Sequence, residues 1–394
     1  LRNAIASWWN RLLHNRRSRL RVLVIDDRLP DPRGGAGAPR ALALLHAIAE
    51  AGADFTLLPV IADPQNPDDA RRLLPNGKVA LGYGRLRIGR FLYERRGRFD
   101  LIIVSRPHNM NLFRDAVAER PDDVGATPVI YDAEALFAVR DAMRGEVLGT
   151  PLQAGEAETR LKREIALADG VRAVVAVNDE TAEAFRNAGH SDVRILSYSI
   201  APRPTRNDFG QRDGFLFVGP TDDDTTPNSD AVVWFADHVL PAIRYELKRD
   251  LPLVLVGVAN SPTIAARASG ALDVRGVLSD LTDTYARARV FVAPTRFATG
   301  VPIKVYDAAA HGVPVVLTPV LAEQLGWRHE EEVLVGETPQ EFAAQCLRLH
   351  SDEDLWRHVR SRALARVAQD CDPPRFSRMV ADVLAQVGGQ RQAH

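Results

Sequence analysis

The feature that most restricts this chain is a series of short, wholly apolar runs separated by amphipathic stretches, played through twice with one polar interruption. Arg21 to Ile25 (RVLVI), Asp54 to Pro59, Leu101 to Ser105 (LIIVS), Val129 to Tyr131, Val171 to Val177 (VRAVVAV) and Val193 to Leu196 read as strands. Helical periodicity fills the gaps at Pro39 to Ala51, Ala133 to Arg144, Ala154 to Ala168 and Asp179 to Ala188. A strand that is apolar on both faces is buried on both, as happens when crossover helices cover each side of a parallel sheet. Pro202 to Gln211 then carries two prolines, a glycine and no apolar period, the composition of a linker. Beyond it the alternation restarts: strands are predicted at Phe215 to Val218, Leu253 to Val256, Leu272 to Val274, Val290 to Val292 and Val313 to Leu317, with helices at Ser229 to Lys248, Leu281 to Ala288, Pro302 to His311 and Pro339 to His350.

A chain of 394 residues exceeds the size at which one core keeps growing, so each series is expected to form its own doubly wound α/β domain. The expected division is residues 20–201, a linker at 202–211, a second domain at 212–372, and a tail at 373–394 whose helix, about Arg375 to Gln386, crosses back onto the first domain. Residues 1–19 place Leu1, Ile5, Trp8, Trp9, Leu12 and Leu13 at helical spacing among five arginines with no acid, which predicts a basic amphipathic helix. Such a helix suits a peripheral membrane contact, and equally packing on its own domain or a link to an upstream one, since residue 1 is Leu.

A formal net charge of −1 supplies no global basic field, so no nucleic-acid partner is expected. Cys346 and Cys371, without metal-ligand spacing, point away from a disulfide framework or structural zinc. No apolar run reaches the roughly 18 to 20 residues that span a bilayer, and a cytoplasmic location, peripheral at most, is the expectation.

In open parallel sheets ligands bind beyond the carboxyl ends of the strands, near glycine turns and helix N-termini. Two turns qualify. After the first strand come Asp26, Asp27, then Gly34, Gly35, Ala36 and Gly37 before the helix at Pro39; closely spaced glycines admit a phosphate or sugar, and also make a plain turn. GGAGAPR does not fit G-x-G-x-x-G and no acid ends the second strand, so a nicotinamide cofactor fits poorly. The second turn, PTRFATGVPIK, places Gly300 and Pro302 between a strand and a helix, where free amides and the helix dipole favour a pyrophosphate. Lys304 falls in the first helical turn and Asp307 follows at i+3, a spacing that also makes an ordinary surface pair.

The segment RGVLSDLTDTYARARVFVAPTRFATGVPIKVYDAAAHGVPVV resembles the donor-binding part of the large retaining GT-B glycosyltransferase family that carries an E-x7-E motif. FLFVGPTDDDTTPNSDAVVWFADHVLP is similar to the opening of that family's donor domain, and VLVIDDRLPDPRGGAGAPR to the acceptor-domain start of bacterial polysaccharide and O-antigen transferases, rhamnosyltransferases included. The resemblance implies a GT-B fold, two Rossmann-like domains facing across a cleft, that moves a sugar from a nucleotide-sugar to a glycan or lipid-linked glycan acceptor with no metal or other cofactor. It implies donor contacts from Gly219, Gly276, Arg296, Thr299, Gly300, Val301, Lys304 and Asp307. Asp307 occupies the second glutamate's place; Thr299 replaces the first, so sugar recognition must differ. On the acceptor side it implies phosphate or acceptor contacts from Gly34, Gly35, Ala36 and Gly37, and a carboxylate beside the reacting centre at Asp132, though a helix cap reads the same way. Arg106, His108 and Glu134 are acceptor candidates; Asp132 and Lys304 are the catalytic ones. Asp222, Asp223 and Asp224 imitate a metal-binding D-x-D, but before Pro227 and Asn228 they read as a loop capping the next helix. A noncatalytic sugar-nucleotide or glycan-binding module and a sugar-nucleotide epimerase share these features.

Overall fold

A computed structural model describes residues 19–31, 37–61, 67–268 and 270–388. The predicted helix over 1–19 therefore lies outside the described residues, Arg19 excepted, as do Gly34, Gly35 and Ala36.

Seven parallel strands form the first sheet: β1 Arg21–Asp26, β2 Asp54–Pro59, β3 Lys78–Val79, β4 Leu101–Ser105, β5 Val129–Asp132, β6 Ala173–Ala176 and β7 Val193–Ile195, in the order β3-β2-β1-β4-β5-β6-β7. Six more form the second: β8 Asp213–Val218, β9 Leu253–Val256, β10 Leu272–Val274, β11 Ala288–Ala293, β12 Val315–Leu317 and β13 Leu334–Val335, in the order β10-β9-β8-β11-β12-β13. Alternation explains why the strands read as unbroken apolar runs. In β1, Val22 and Val24 enter one core layer and Leu23 and Ile25 the layer across the sheet. In β11, Val290 and Val292 face one way, Phe291 and Ala293 the other.

Three local differences from the sequence expectation have physical causes. The single helix expected from Ser229 to Lys248 is helix Pro227–Trp234, a π-helical turn Phe235–Val239 and helix Leu240–Leu247, because Pro241 has no amide to continue the ladder. The helix expected from Ala133 starts at Phe137, where Glu164 accepts both the Phe137 and Ala138 amides at 2.7 Å. Pro302 is the N-cap, not the first residue, of helix Ile303–Ala310.

Two crossings join the domains and are tied to each other: the Ile200 amide donates to the Cys371 carbonyl at 2.9 Å. The stretch read as a linker is bound to the second domain, Arg203 and Thr205 donating to the Ala310 and His311 carbonyls and Arg360 reaching the Thr205 and Asn207 carbonyls. Helix Pro373–Gly388 returns to the first domain, packing on helix Gly37–Glu50 and placing Phe376, Val380, Val383 and Leu384 in one core layer there.

Candidate active site

Parallel register brings the carboxyl ends of neighbouring strands to one edge: Ile25 pairs with Val104, and Ser105 with Asp132. At the corresponding edge of the second sheet, helix Ile303–Ala310 follows β11 through the turn that holds Gly300 at φ +86°. The two edges meet there. Thr299 Oγ1 donates to the Leu136 carbonyl at 3.0 Å, Asn178 Nδ2 donates to the Gly300 carbonyl at 3.2 Å, and a Cβ on Gly300 would lie 3.2 Å from both Ala135 Cβ and the Glu134 carbonyl oxygen. Glycine is thus required twice at position 300, for its dihedral and for close approach of the facing domain. Behind this contact, toward the hinge, a cavity of about 590 Å³ opens between the domains, bordered by Asn178, Val301, Tyr306, Gln324 and Asp370.

On the second domain's side the central group is Lys304. Its ammonium donates to Asn228 Oδ1 at 2.5 Å and Thr295 Oγ1 at 3.4 Å, and lies 4.8 Å from the centroid of the Phe217 ring. Among the described residues it has no carboxylate partner, and burial alone pushes its pKa down to about 7. Asn228 is fixed by donating to the Pro220 carbonyl at 2.8 Å, and a side chain at Gly219 would strike it, since a Cβ there would sit 2.9 Å from its Nδ2. Gly219 thus keeps the Lys304 partner in place. Arg296 is committed to Asp230, which it grips with two hydrogen bonds, one of 2.9 Å. Asp307 is 3.8 Å from Arg203; burial raises its pKa to about 6 against the pull of that guanidinium. Gly276, at φ +67°, has open space around it. Of the aspartate triplet, Asp223 holds the Thr225 amide and Asp224 accepts from Ser261 and the Thr263 amide, while the following helix is capped by Thr226. The triplet does not supply that cap.

On the first domain's side Asp132 requires correction. It does not face the cleft: it is 1% exposed, and its two oxygens take hydrogen bonds of 2.7 and 2.9 Å from Arg40 and one of 3.2 Å from Ser105. Arg40, equally buried, also donates to the Leu196 and Ser197 carbonyls, so the pair binds β5 to the end of β7. Glu134, two residues on, meets the other domain through its backbone carbonyl, while its carboxylate turns to the arginines of its own domain. It accepts from Arg106 at 2.8 Å and, at 3.5 Å, from Arg40. Arg106 also pairs with Asp26 at 3.3 Å and with Asp27. His108 Nε2 is 2.5 Å from Asp27, and Asn109 donates to the same oxygen at 2.9 Å. Burial lifts the Asp26 pKa to about 7 despite Arg106; at Asp27 burial acts the same way but loses to His108, Arg106 and Asn109, which hold it well below the carboxylate range. Gly37 closes the group, since a Cβ there would be 2.5 Å from Arg106 Nη2. Arg106 and Glu134 are both held at positive φ, +75° and +53°, conformations that cost about 1 to 3 kcal/mol each and persist where surrounding contacts over-determine them.

Sequence reasoning missed Arg40, Asn178, Asn228 and Arg203. Asn228 alone carried a local signal, lying in the TTPNSD stretch directly after a strand.

Residues 212–352 match the family model described as Glycosyl transferases group 1. No curated protein sequence matches significantly. Solved structures share the fold over nearly the whole chain. Anabaena HepE, crystallised with UDP and glucose, is 15% identical with a TM-score of 0.68, covering 93% of this chain and 100% of its own. Sucrose-phosphate synthase from Thermosynechococcus elongatus is 15% identical with a TM-score of 0.70, covering 94% and 100%. A UDP-forming α,α-trehalose-phosphate synthase from Burkholderia xenovorans is 13% identical with a TM-score of 0.62, covering 93% and 99%. The fold is that of the GT-B class, two Rossmann-like domains, and its second domain carries the glycosyl transferases group 1 match. No described helix is long and apolar enough to cross a membrane.

Proposed function

We propose that this chain moves a sugar from a nucleotide-sugar to a carbohydrate acceptor during assembly of a bacterial surface polysaccharide, with retention at the anomeric carbon and no required metal ion. One observation carries the reading: a desolvated ammonium, Lys304, sits without a carboxylate partner among the described residues at the start of a helix that faces the other domain. A cation left uncompensated in that position is matched to an anion that arrives and leaves, and a nucleoside diphosphate has that character. The Gly300 and Val301 amides and the helix dipole add to the same field. Asp307 would hold ribose hydroxyls. Glu134, whose backbone carbonyl lies against Gly300 and whose carboxylate Arg106 fixes beside the Asp26 and Asp27 cluster, would orient the acceptor hydroxyl as it attacks the anomeric carbon and the nucleoside diphosphate leaves.

Support for a uridine donor comes from HepE, whose structure was also determined with UDP-glucose. The noncatalytic-module reading draws on Thr299, which offers a hydroxyl where the resemblance expects a carboxylate and uses it on the Leu136 carbonyl. One experiment decides between them. The protein is incubated with nucleoside-diphosphate sugars and a panel of glycan and lipid-linked glycan acceptors, with and without a chelator, and product is followed by NMR. Acceptor-dependent nucleotide release with retained configuration and indifference to chelator supports the proposal. Saturable donor binding with no turnover on any acceptor refutes it, and donor conversion without acceptor replaces it with epimerisation.

A further inference from the structure

Glycosyl transfer to a hydroxyl must dispose of one proton, and the second domain is poorly built to take it. The departing diphosphate oxygens would lie against the Lys304 ammonium and a helix N-terminus, and a positive field of that kind lowers their basicity. The proton then falls to a group of the first domain, exposed at the sheet edge where the domains meet.

Most titratable groups at that edge are already spent. Asp26 is 4% exposed, Asp132 is locked to Arg40, and the Glu134 carboxylate accepts from Arg106 and, at longer range, from Arg40. His108 differs. It is the second residue of helix Pro107–Glu119, directly after β4, and its side chain is 45% exposed. Its ring stacks on Phe137 with centroids 6.1 Å apart, and Phe137 follows Leu136, whose carbonyl receives Thr299 from the other domain. The imidazole thus stands beside the contact that closes the cleft.

The two ring nitrogens have separate duties. Nε2 lies 2.5 Å from Asp27 Oδ1, which also accepts from Asn109 at 2.9 Å, while Arg106 holds Oδ2. Asn109 is fully buried and anchored by donating to the Ser105 carbonyl at 2.9 Å, so the carboxylate is fixed from the interior. Burial works against the charge on Asp27, but His108, Arg106 and Asn109 outweigh it and keep the carboxylate ionised. An ionised carboxylate only accepts, so Nε2 carries the hydrogen and the neutral ring keeps its lone pair on Nδ1. Nδ1 has no hydrogen-bond partner among the described residues. One nitrogen oriented by a carboxylate, with the other left bare on an exposed ring, is the arrangement that general-base catalysis requires.

We propose that His108, oriented by Asp27, takes the proton of the acceptor hydroxyl; this rests on the transfer reading above. The acceptor oxygen forms its bond to the anomeric carbon as its proton passes to Nδ1. The bond from that carbon to the diphosphate oxygen breaks, and its electron pair leaves with the nucleoside diphosphate. The imidazolium so formed is held against Asp27 and returns its proton to water as product departs. The proton has the same destination whichever face of the sugar the acceptor takes.

The test compares the full chain with His108→Gln and His108→Ala by nucleotide release in the presence of donor and acceptor, with donor affinity read by calorimetric titration. Both variants should melt like wild type, because the side chain is half exposed, and should bind donor equally well. Their kcat should fall about a hundred- to ten-thousandfold. Free imidazole should restore rate to His108→Ala in proportion to its concentration, which a merely structural role would not allow. Independently of turnover, nitrogen NMR of the wild type should find the hydrogen of the neutral ring on Nε2. Wild-type turnover in His108→Gln, a loss that imidazole leaves untouched, or a hydrogen on Nδ1 would each overturn the proposal and leave the transfer reading standing. A wild-type protein that transfers to no acceptor ends that reading, and this proposal with it.

Discussion

Replacing Lys304 with Met separates function from stability, because the two should move in opposite directions. The folded protein holds this ammonium at a pKa of about 7 where the unfolded chain has 10.5. That difference corresponds to about 5 kcal/mol of destabilisation of the charged form. Methionine removes the charge while filling similar space, but Asn228 Oδ1 then loses its donor, at a cost of about 1 to 3 kcal/mol. The net expectation is a gain of about 2 to 4 kcal/mol, or roughly 4 to 16 °C in the melting temperature of the second domain. The gain depends on pH with a definite sign. Between pH 7 and 10.5 the unfolded wild-type chain binds the extra proton, so wild-type stability climbs over that window and the advantage of Lys304→Met shrinks toward alkaline pH. Activity should fall: losing one charged leaving-group contact costs about a hundred- to a thousandfold in turnover. Wild-type kcat/KM for donor should also decline as pH rises through about 7, where the free enzyme loses the charge. Calorimetry across pH, paired with a nucleotide-release assay, measures all of this. A lower melting temperature with unchanged kinetics would make Lys304 a structural residue and remove the argument for a diphosphate site.

Asp132→Asn should destabilise the first domain by about 3 to 5 kcal/mol, because it strips Arg40 of its buried partner; a melt within 2 °C or so of wild type would contradict the pairing. Gly300→Ala places a methyl 3.2 Å from Ala135 and the Glu134 carbonyl at a positive φ, so about 1 to 2 kcal/mol of stability and most turnover should be lost, and small-angle scattering should show a wider interdomain separation. Glu134→Gln keeps the shape of the Arg106 contact but not its charge. Turnover should drop at least tenfold while donor binding, read by calorimetric titration, stays near wild type, and equal losses in both would place Glu134 on the donor instead.

Strand positions were legible wherever strands are buried on both faces, since β1, β4 and β11 announce themselves as unbroken apolar runs, while their order in the sheets was not. The two-residue edge strands β3 and β13 carry no such signal. Nor does helix Glu353–Asp370, which buries only Trp356, Val359, Ala363 and Val367 of its 18 residues and otherwise reads as charged. At the site, Gly300 and Lys304 could be singled out because strand, glycine turn and helix follow one another locally. What lay beyond reach was pairing across distance. Asp132 and Glu134 are two residues apart in one motif, and only Arg40, 92 positions before Asp132, decides which of them is withdrawn into the interior.

The return of helix Pro373–Gly388 has a consequence for biosynthesis. The first domain's share of the sequence leaves the ribosome roughly 170 residues before the helix that completes one of its core layers, a delay of about 10 to 35 s at ordinary elongation rates. Until then Leu44, Leu45 and Ile48 lack the cover that Val380 and Leu384 provide. A nascent first half is thus a client for chaperones, and a chain severed in the crossing near Ile200 should yield one half that sticks to itself until the other is supplied.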